Sequence, residues 1–352
     1  MSKNTLRLYV TCAITCILLS VSLISCVQAS VVLEDTVQLT EGINQQSPTW
    51  SPDGDMIAYS SDQAIWIMDG DGSNQRRIYD SMVWDGEPCF DVDGSRIYFA
   101  SENVGPFSSK FISIHVIDLD GTNRSQLTEN ADKRAPAVSP DGSSIVYLSK
   151  VSGNYDVWIM DTDGSASEVI TDAQADESSP SWSPDGSQIV YSLEGDIWIV
   201  GVDGLQPMKL TDDPFINDEP AFSPNGYLIA FMSNRDNNSD IWIMNADGTG
   251  SLQLTTDISV QMSPSWNPDG KRIAYVSNKN DEYNIWVMRL NDTDSPIDVT
   301  TQDETVEDSS LIGTDNGLIG YALENPIKTI AGILISTIVL VYFLVKRFVR
   351  GI

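Results

Sequence analysis

Histidine, cysteine and basic residues are all scarce in this 352-residue chain. There is one histidine, His115, which excludes any metal site built on two imidazoles and makes a Ser-His-Asp hydrolase constellation hard to assemble. No Gly-x-Ser-x-Gly elbow is present either. Of the four cysteines, Cys12, Cys16 and Cys26 fall within the first 29 residues, so the folded part keeps only Cys89 and must be held by packing rather than by an internal disulfide. Lysine and arginine together number 20 against 50 aspartates and glutamates, a net charge of -30. All of the acids lie between residues 30 and 327, and that imbalance argues against nucleic acid or an anionic lipid surface as a partner of this region. It permits cations, basic peptides or a positively charged envelope component, and it also suits a solvated surface adapted for solubility or salt.

What the chain does have is one module written six times. Its clearest copy runs Ser179-Pro180-Ser181-Trp182-Ser183-Pro184-Asp185-Gly186, then Gln188-Ile189-Val190-Tyr191, Asp196-Ile197-Trp198-Ile199 and Met208-Lys209-Leu210-Thr211. The third residue of the Ser-Pro-Asp-Gly turn recurs at Asp53, Asp93, Asp141, Asp185, Asn225 and Asp269, spacings of 40, 48, 44, 40 and 44 residues. Four short apolar or alternating stretches per period in the low forties predict an all-β fold, a six-bladed β-propeller of four-stranded blades. Continuous runs such as Ile189-Val190-Tyr191 suit strands buried on both faces, and the Asp-Gly pairs suit hairpin turns. Seven runs resemble the fourth stretch although only six copies exist. Val37-Gln38-Leu39-Thr40 and Ile297-Asp298-Val299-Thr300 therefore compete for one outer position in the last blade. Three departures from the consensus stand out: Val92 for Pro, Asn225 for Asp, and His115 for Trp.

The two ends read as membrane-directed. Residues 1–29, with Lys3 and Arg7 before an apolar run and a small residue at Ala29, read as a signal peptide, with an uncleaved anchor and a lipid on Cys26 as alternatives. The propeller is expected over 30–300, an acidic stalk over 301–326, a C-terminal transmembrane helix over 327–346 and a basic tail over 347–352. Lys346, Arg347 and Arg350 put that tail in the cytoplasm, and hence the propeller outside, in a single-pass cell-membrane protein.

Residues 47 to 300 resemble the TolB-type propeller repeats, relatives of the WD-repeat class, through Ser-Pro-Asp-Gly, Ile-Ala-Tyr, Ile-Trp-Ile-Met and Asp-Gly-x-x-x-x-Leu-Thr repeated in register. Similar repeats form the propeller of prolyl-oligopeptidase and dipeptidyl-peptidase IV relatives, where a hydrolase domain follows that is not expected here. The resemblance implies a scaffold for protein or peptide binding outside the cytoplasm, often at the mouth of the central channel.

Residues just before the repeated proline are expected to ring one channel opening. They include Glu87 and Glu219, three blades apart and so opposed across the axis, with Asp85, Glu177 and Asp218 adding negative charge and Lys133 and Arg134 interrupting it. The favoured function is a membrane-anchored module that binds a protein or basic peptide or helps assemble the cell envelope, without enzymatic activity. One alternative is a carbohydrate-active or other hydrolytic propeller using Glu87, Glu177 and Glu219 as acid and base. Another is a surface-layer structural component. No cofactor is expected. Calcium is the second reading, after a hairpin turn, at Asp118, Asp120 and Glu129, because the sixth loop position is Asn123 rather than glycine. Sequons at Asn123, Asn237 and Asn291 are candidate glycosylation sites.

Overall fold

A computed structural model describes residues 31–297 apart from 32, 43, 80, 105–109, 130 and 292. The expected signal peptide, the stalk and the C-terminal transmembrane helix lie outside the described residues. Among the described residues no helix is long and apolar enough to cross a membrane.

The described chain forms six four-stranded antiparallel sheets, all β. Blades one to five take residues 46–77, 85–126, 133–169, 177–209 and 217–253 in simple strand order. Blade six takes three strands from residues 261–290 and its outermost strand, Leu33–Gln38, from the other end of the chain. The innermost strands touch in sequence around the ring and back to blade one, which closes the propeller. The competition between the two closing candidates is thereby resolved in favour of the N-terminal run: Leu33 pairs with Leu290 and Gln38 with Trp286. Ile297 goes elsewhere, exchanging hydrogen bonds with the Asn245 side chain of blade five.

Within each blade the second strand carries the core. Ile57, Ile97, Ile145, Ile189, Ile229 and Ile273 are all fully buried, wedged between their own blade and the preceding one. The aromatic residue two positions on faces a tryptophan across the ladder: Tyr59 with Trp66, Tyr147 with Trp158, Tyr191 with Trp198, Phe231 with Trp242 and Tyr275 with Trp286. Blade two puts His115 opposite Phe99 instead.

The Ser-Pro-Asp-Gly segments are turns with an internal acceptor. In blade four, Asp185 Oδ1 accepts from the Ser183 hydroxyl at 2.6 Å and from the Ser187 amide at 3.0 Å, while Gly186 takes a φ of 71° that a side chain would disfavour. The recurrent apolar-Thr pair that ends five of the six blades also has a cause. The threonine hydroxyl accepts the buried amide that opens the third strand, at 2.9 Å from Thr40, Thr128, Thr171, Thr211 and Thr255 alike. The short outer strand is thus tied to a buried backbone donor of its neighbour, which in blade three Glu177 also accepts.

Candidate functional site

Six prolines project toward the axis, one from each inner strand. The residues before them, Ser47, Glu87, Ala135, Ser179, Glu219 and Ser263, all have φ between 50° and 57°, a left-handed backbone that non-glycine residues adopt at a cost. The ladder register breaks at each of these points, so every inner strand carries a β-bulge. Proline is tolerated there because the inner edge of a blade faces the channel and needs no donor. Together the bulge residues and prolines line a cavity of about 500 Å³ on the propeller axis, which extends past Phe222 and Trp266 at blades five and six.

Glu87 and Glu219 both face this cavity, from blades two and five. Each carboxylate also reaches sideways to the bulge of the following blade. Glu87 Oε2 accepts from the Ala135 amide at 2.7 Å, and Glu219 Oε2 accepts from the Ser263 amide at 2.5 Å. Burial raises both carboxyl pKa values, that of Glu219 to about 6. The rise at Glu87 is opposed by the nearby Arg134 guanidinium and by the Ala135 amide. Arg134 lies over the Tyr155 ring, 5.3 Å from its centroid. Asp218 stands beside the cavity, accepting from the Ser178 hydroxyl at 2.9 Å and from the Glu219 amide at 2.7 Å.

The other three residues expected at the mouth are turned into the body of the propeller. Asp85, Lys133 and Glu177 each lie two positions before the bulge residue and are buried, 1%, 8% and 2% exposed. Asp85 accepts from the Ser81 hydroxyl and sits 3.8 Å from the Arg124 guanidinium. Lys133 Nζ donates to the Glu129 carbonyl at 2.5 Å. Glu177 accepts from the Val157 amide at 2.8 Å and from the Thr171 hydroxyl. Because a strand alternates its faces, a residue two before a bulge looks the same in sequence as one that lines the channel, and the bulge decides which way it points. The trio Glu87, Glu177 and Glu219 is therefore not gathered around one cavity, and with Glu177 outside it the acid–base alternative loses one of its three carboxylates. Sequence reasoning placed the residues before the repeated proline at the channel but not the prolines themselves, although a proline at one strand position in all six copies was a legible sign of a free edge.

The Glu177 position holds an amide in three other blades: Gln45, Asn217 and Gln261. Burial pushes the Glu177 carboxyl up to about 7, and Asp156 and Asp172 push in the same direction. A carboxyl raised in the folded state stabilises the fold below its unfolded pKa and loses that contribution as pH rises through about 7. Glu177→Gln keeps the acceptor oxygen and removes the titration. It is expected to raise the melting temperature at pH 8, leave it near wild type at pH 5, and flatten the curve between. A lower melting temperature at pH 8 would show that the charge is favourable where it sits.

His115 is a packed residue. It is 3% exposed, its Nε2 lies 3.0 Å from the Ser113 hydroxyl, and burial lowers its pKa to about 4. Asp118 and Asp120 act as turn acceptors, for the Asn123 side chain at 2.6 Å and the Thr122 amide at 2.9 Å. Among the described residues no group of three His, Cys, Asp or Glu side chains is placed to hold a metal ion. Asn123, Asn237 and Asn291 are all exposed.

The TolB beta propeller domain family matches residues 60–197, and the Tricorn protease N-terminal beta propeller domain matches residues 186–285. The chain is a TolB-like β-propeller. No hydrolase domain accompanies the TolB-like propeller among the described residues. The putative TolB of Agrobacterium tumefaciens superposes with a TM-score of 0.58 at 20% identity, over 75% of this chain and 99% of that one. TolB from Acinetobacter baumannii gives 0.57 at 23% identity, over 64% of this chain and 57% of that one. An oligogalacturonate lyase in complex with manganese gives 0.53 at 18%, over 73% and 80%, a likeness of fold alone. An uncharacterized protein of Agrobacterium fabrum is 29% identical over 123 residues, 32% of this chain, and the chain spans only 42% of that relative's length.

Proposed function

We propose that this TolB-like propeller is an extracytoplasmic binding module, held to the cell membrane by residues 327–346, that receives a basic segment of a protein partner at its channel. The observation that carries the reading is the axial cavity of about 500 Å³ with Glu87 and Glu219 on opposite sides. A cavity of that size admits a side chain or a short loop. Two carboxylates in a partly desolvated setting attract a cation more strongly than they would in water. The anchor is supported by the apolar run from Thr329 to Val345 and the Lys346-Arg347 pair that follows.

Hexalysine and hexaglutamate peptides titrated against the full-length protein test the reading. Hexalysine is expected to bind and hexaglutamate is not. The double variant Glu87→Gln, Glu219→Gln is expected to weaken hexalysine binding by about tenfold or more, as loss of two partly buried charge partners implies. Affinity is also expected to fall as pH drops through about 6, because protonation of Glu219 removes the charge that attracts the ligand. Unchanged affinity in the double variant removes the channel from the account. Turnover of an oligosaccharide, abolished by Glu219→Gln, would establish the enzymatic alternative instead.

A further inference from the structure

A second cleft, of about 430 Å³, opens between blades three and four, where the Ser-Pro-Asp-Gly turns meet. Its walls include Trp182, Ile159, Val202, Ser144 and the carboxylates of Asp141 and Asp185. The repeat supplies its own comparison. At several junctions the first residue of the second strand stands next to the aromatic residue that ends the inner strand of the following blade. Met56 of blade one packs in the cluster that holds Phe90 of blade two, and Leu228 of blade five packs with Trp266 of blade six. At the junction of blades six and one the residue is Arg272. Its guanidinium lies 4.9 Å from the Trp50 ring centroid, and its Nε is 2.7 Å from Asp269 Oδ2.

The junction of blades three and four has the same aromatic residue, Trp182, and the same turn carboxylate, Asp141. The position of Arg272 is taken by Ser144. The tryptophan and the acid that hold a guanidinium at one junction are therefore present at another, with the side chain between them cut back to a hydroxyl and open space in its place. Asp185 adds a second carboxylate on the far side. Both aspartates use Oδ1 within their own turns, accepting from Ser139 and Ser143 and from Ser183 and Ser187. Those bonds hold both carboxyls down at about 2, so they stay ionised at any physiological pH. The indole is fixed, since Trp182 Nε1 donates to the Ala137 carbonyl of blade three at 2.9 Å.

We infer that the cleft between blades three and four is a guanidinium-binding site, which takes an arginine side chain of a partner or a small guanidinium compound between the Trp182 ring and the carboxylates of Asp141 and Asp185. Stacking of a planar cation on the indole and charge-assisted hydrogen bonds to the carboxylates are the two interactions that the Arg272 junction already makes internally. This site is separate from the axial cavity: the two share no lining residue.

Agmatine, a guanidinium on a four-carbon chain that ends in an ammonium, titrated into the full-length protein by calorimetry is the test, with 4-aminobutylurea as the analogue that keeps the ammonium and replaces the guanidinium by a neutral urea. Saturable agmatine binding in the millimolar range or tighter is expected, with none for 4-aminobutylurea. Ser144→Arg supplies the missing guanidinium from within, so it is expected to abolish agmatine binding while the melting temperature holds or rises. Asp141→Asn with Asp185→Asn is expected to weaken binding by about tenfold. That pair is expected to fold, because blade five carries Asn225 at the same turn position. The channel variant Glu87→Gln, Glu219→Gln is expected to bind agmatine as wild type does. Equal affinity in Ser144→Arg, equal binding of 4-aminobutylurea, absence of saturable binding, or loss of binding in the channel variant each overturns the proposal.

Discussion

A chain that lacks residues 31–40 is expected to lose cooperative unfolding rather than to show a modest shift. Those ten residues are the outer strand of blade six and also the join between the first and last blades. Leu33–Gln38 pairs with Asn284–Leu290, and the Leu39 amide continues the ladder to the Ile285 carbonyl at 2.9 Å. Thr40 then accepts the buried Ile285 amide and donates to Gln45, which opens blade one. Val31 and Leu33 pack into the core between blades five and six, and Leu39 into that between six and one. Each backbone bond contributes about 1 kcal/mol net, and each buried aliphatic side chain about 1.5–3 kcal/mol. Their sum, on the order of 5–10 kcal/mol, is comparable to the whole stability of a typical domain. The deletion also bares the strand Asn284–Leu290 as a long unprotected edge, which invites pairing between molecules. Urea unfolding followed by tryptophan fluorescence is expected to show a broad, early transition, and sedimentation is expected to show aggregates. A synthetic peptide of residues 30–41 added in trans is expected to restore part of the transition. An unchanged urea midpoint would mean that the three remaining strands of blade six close the ring unaided.

The blade count, the strand pattern and the turn chemistry were legible because each rests on local rules repeated six times. Closure was not, because Val37-Gln38-Leu39-Thr40 and Ile297-Asp298-Val299-Thr300 satisfy the same local rule. What separates them is distant. Asn245 and Asn225 stand where most other blades carry Asp in the corresponding turns, and an amide donates where a carboxylate only accepts. Asn225 Nδ2 bonds the Thr293 carbonyl and Asn245 Nδ2 the Ile297 carbonyl, holding the chain after the last strand against blade five. Asn225 was visible as a departure, and its partner 68 residues away was not. The channel residues divide for a similar reason. Glu87 and Glu219 sit at the bulge and reach the axis, whereas Asp85, Lys133 and Glu177, two residues earlier, are buried to one side. A bulge has no reliable mark in composition. Here its signs were a proline inside a strand and a preceding residue forced into a left-handed backbone, and both are clear only once the strand is known to be an inner edge.

Phe231→Ala is the point substitution expected to cost most. The side chain is fully buried between blades four and five, in a cluster with Val190, Ile197, Ile199, Leu210, Ile229 and Met244. Removal of a phenyl group from such a site costs about 3–5 kcal/mol, the upper part of that range applying where the walls cannot collapse into the space. Here they cannot move easily. Phe231 stands in a central strand bonded on both sides, and the strands of blade four that face it are fixed in their own ladder. The ring also carries a cation: Arg235 lies 5.5 Å from its centroid and 4.6 Å from that of Trp242, and pairs with Asp213 at 3.1 Å. Phe231→Leu keeps most of the volume and is expected to cost less than half as much. Val169→Ala, on an outer strand at 50% exposure, is expected to change the urea midpoint hardly at all. Because a closed ring has no free end at which strain can dissipate, the damage at one junction is expected to lower the single cooperative midpoint rather than to melt blade five alone. A separate early transition in Phe231→Ala, reported by fluorescence while the rest of the spectrum stays native, would show that the blades unfold independently. A shift no larger than that of Val169→Ala would place the burial energy of this propeller elsewhere.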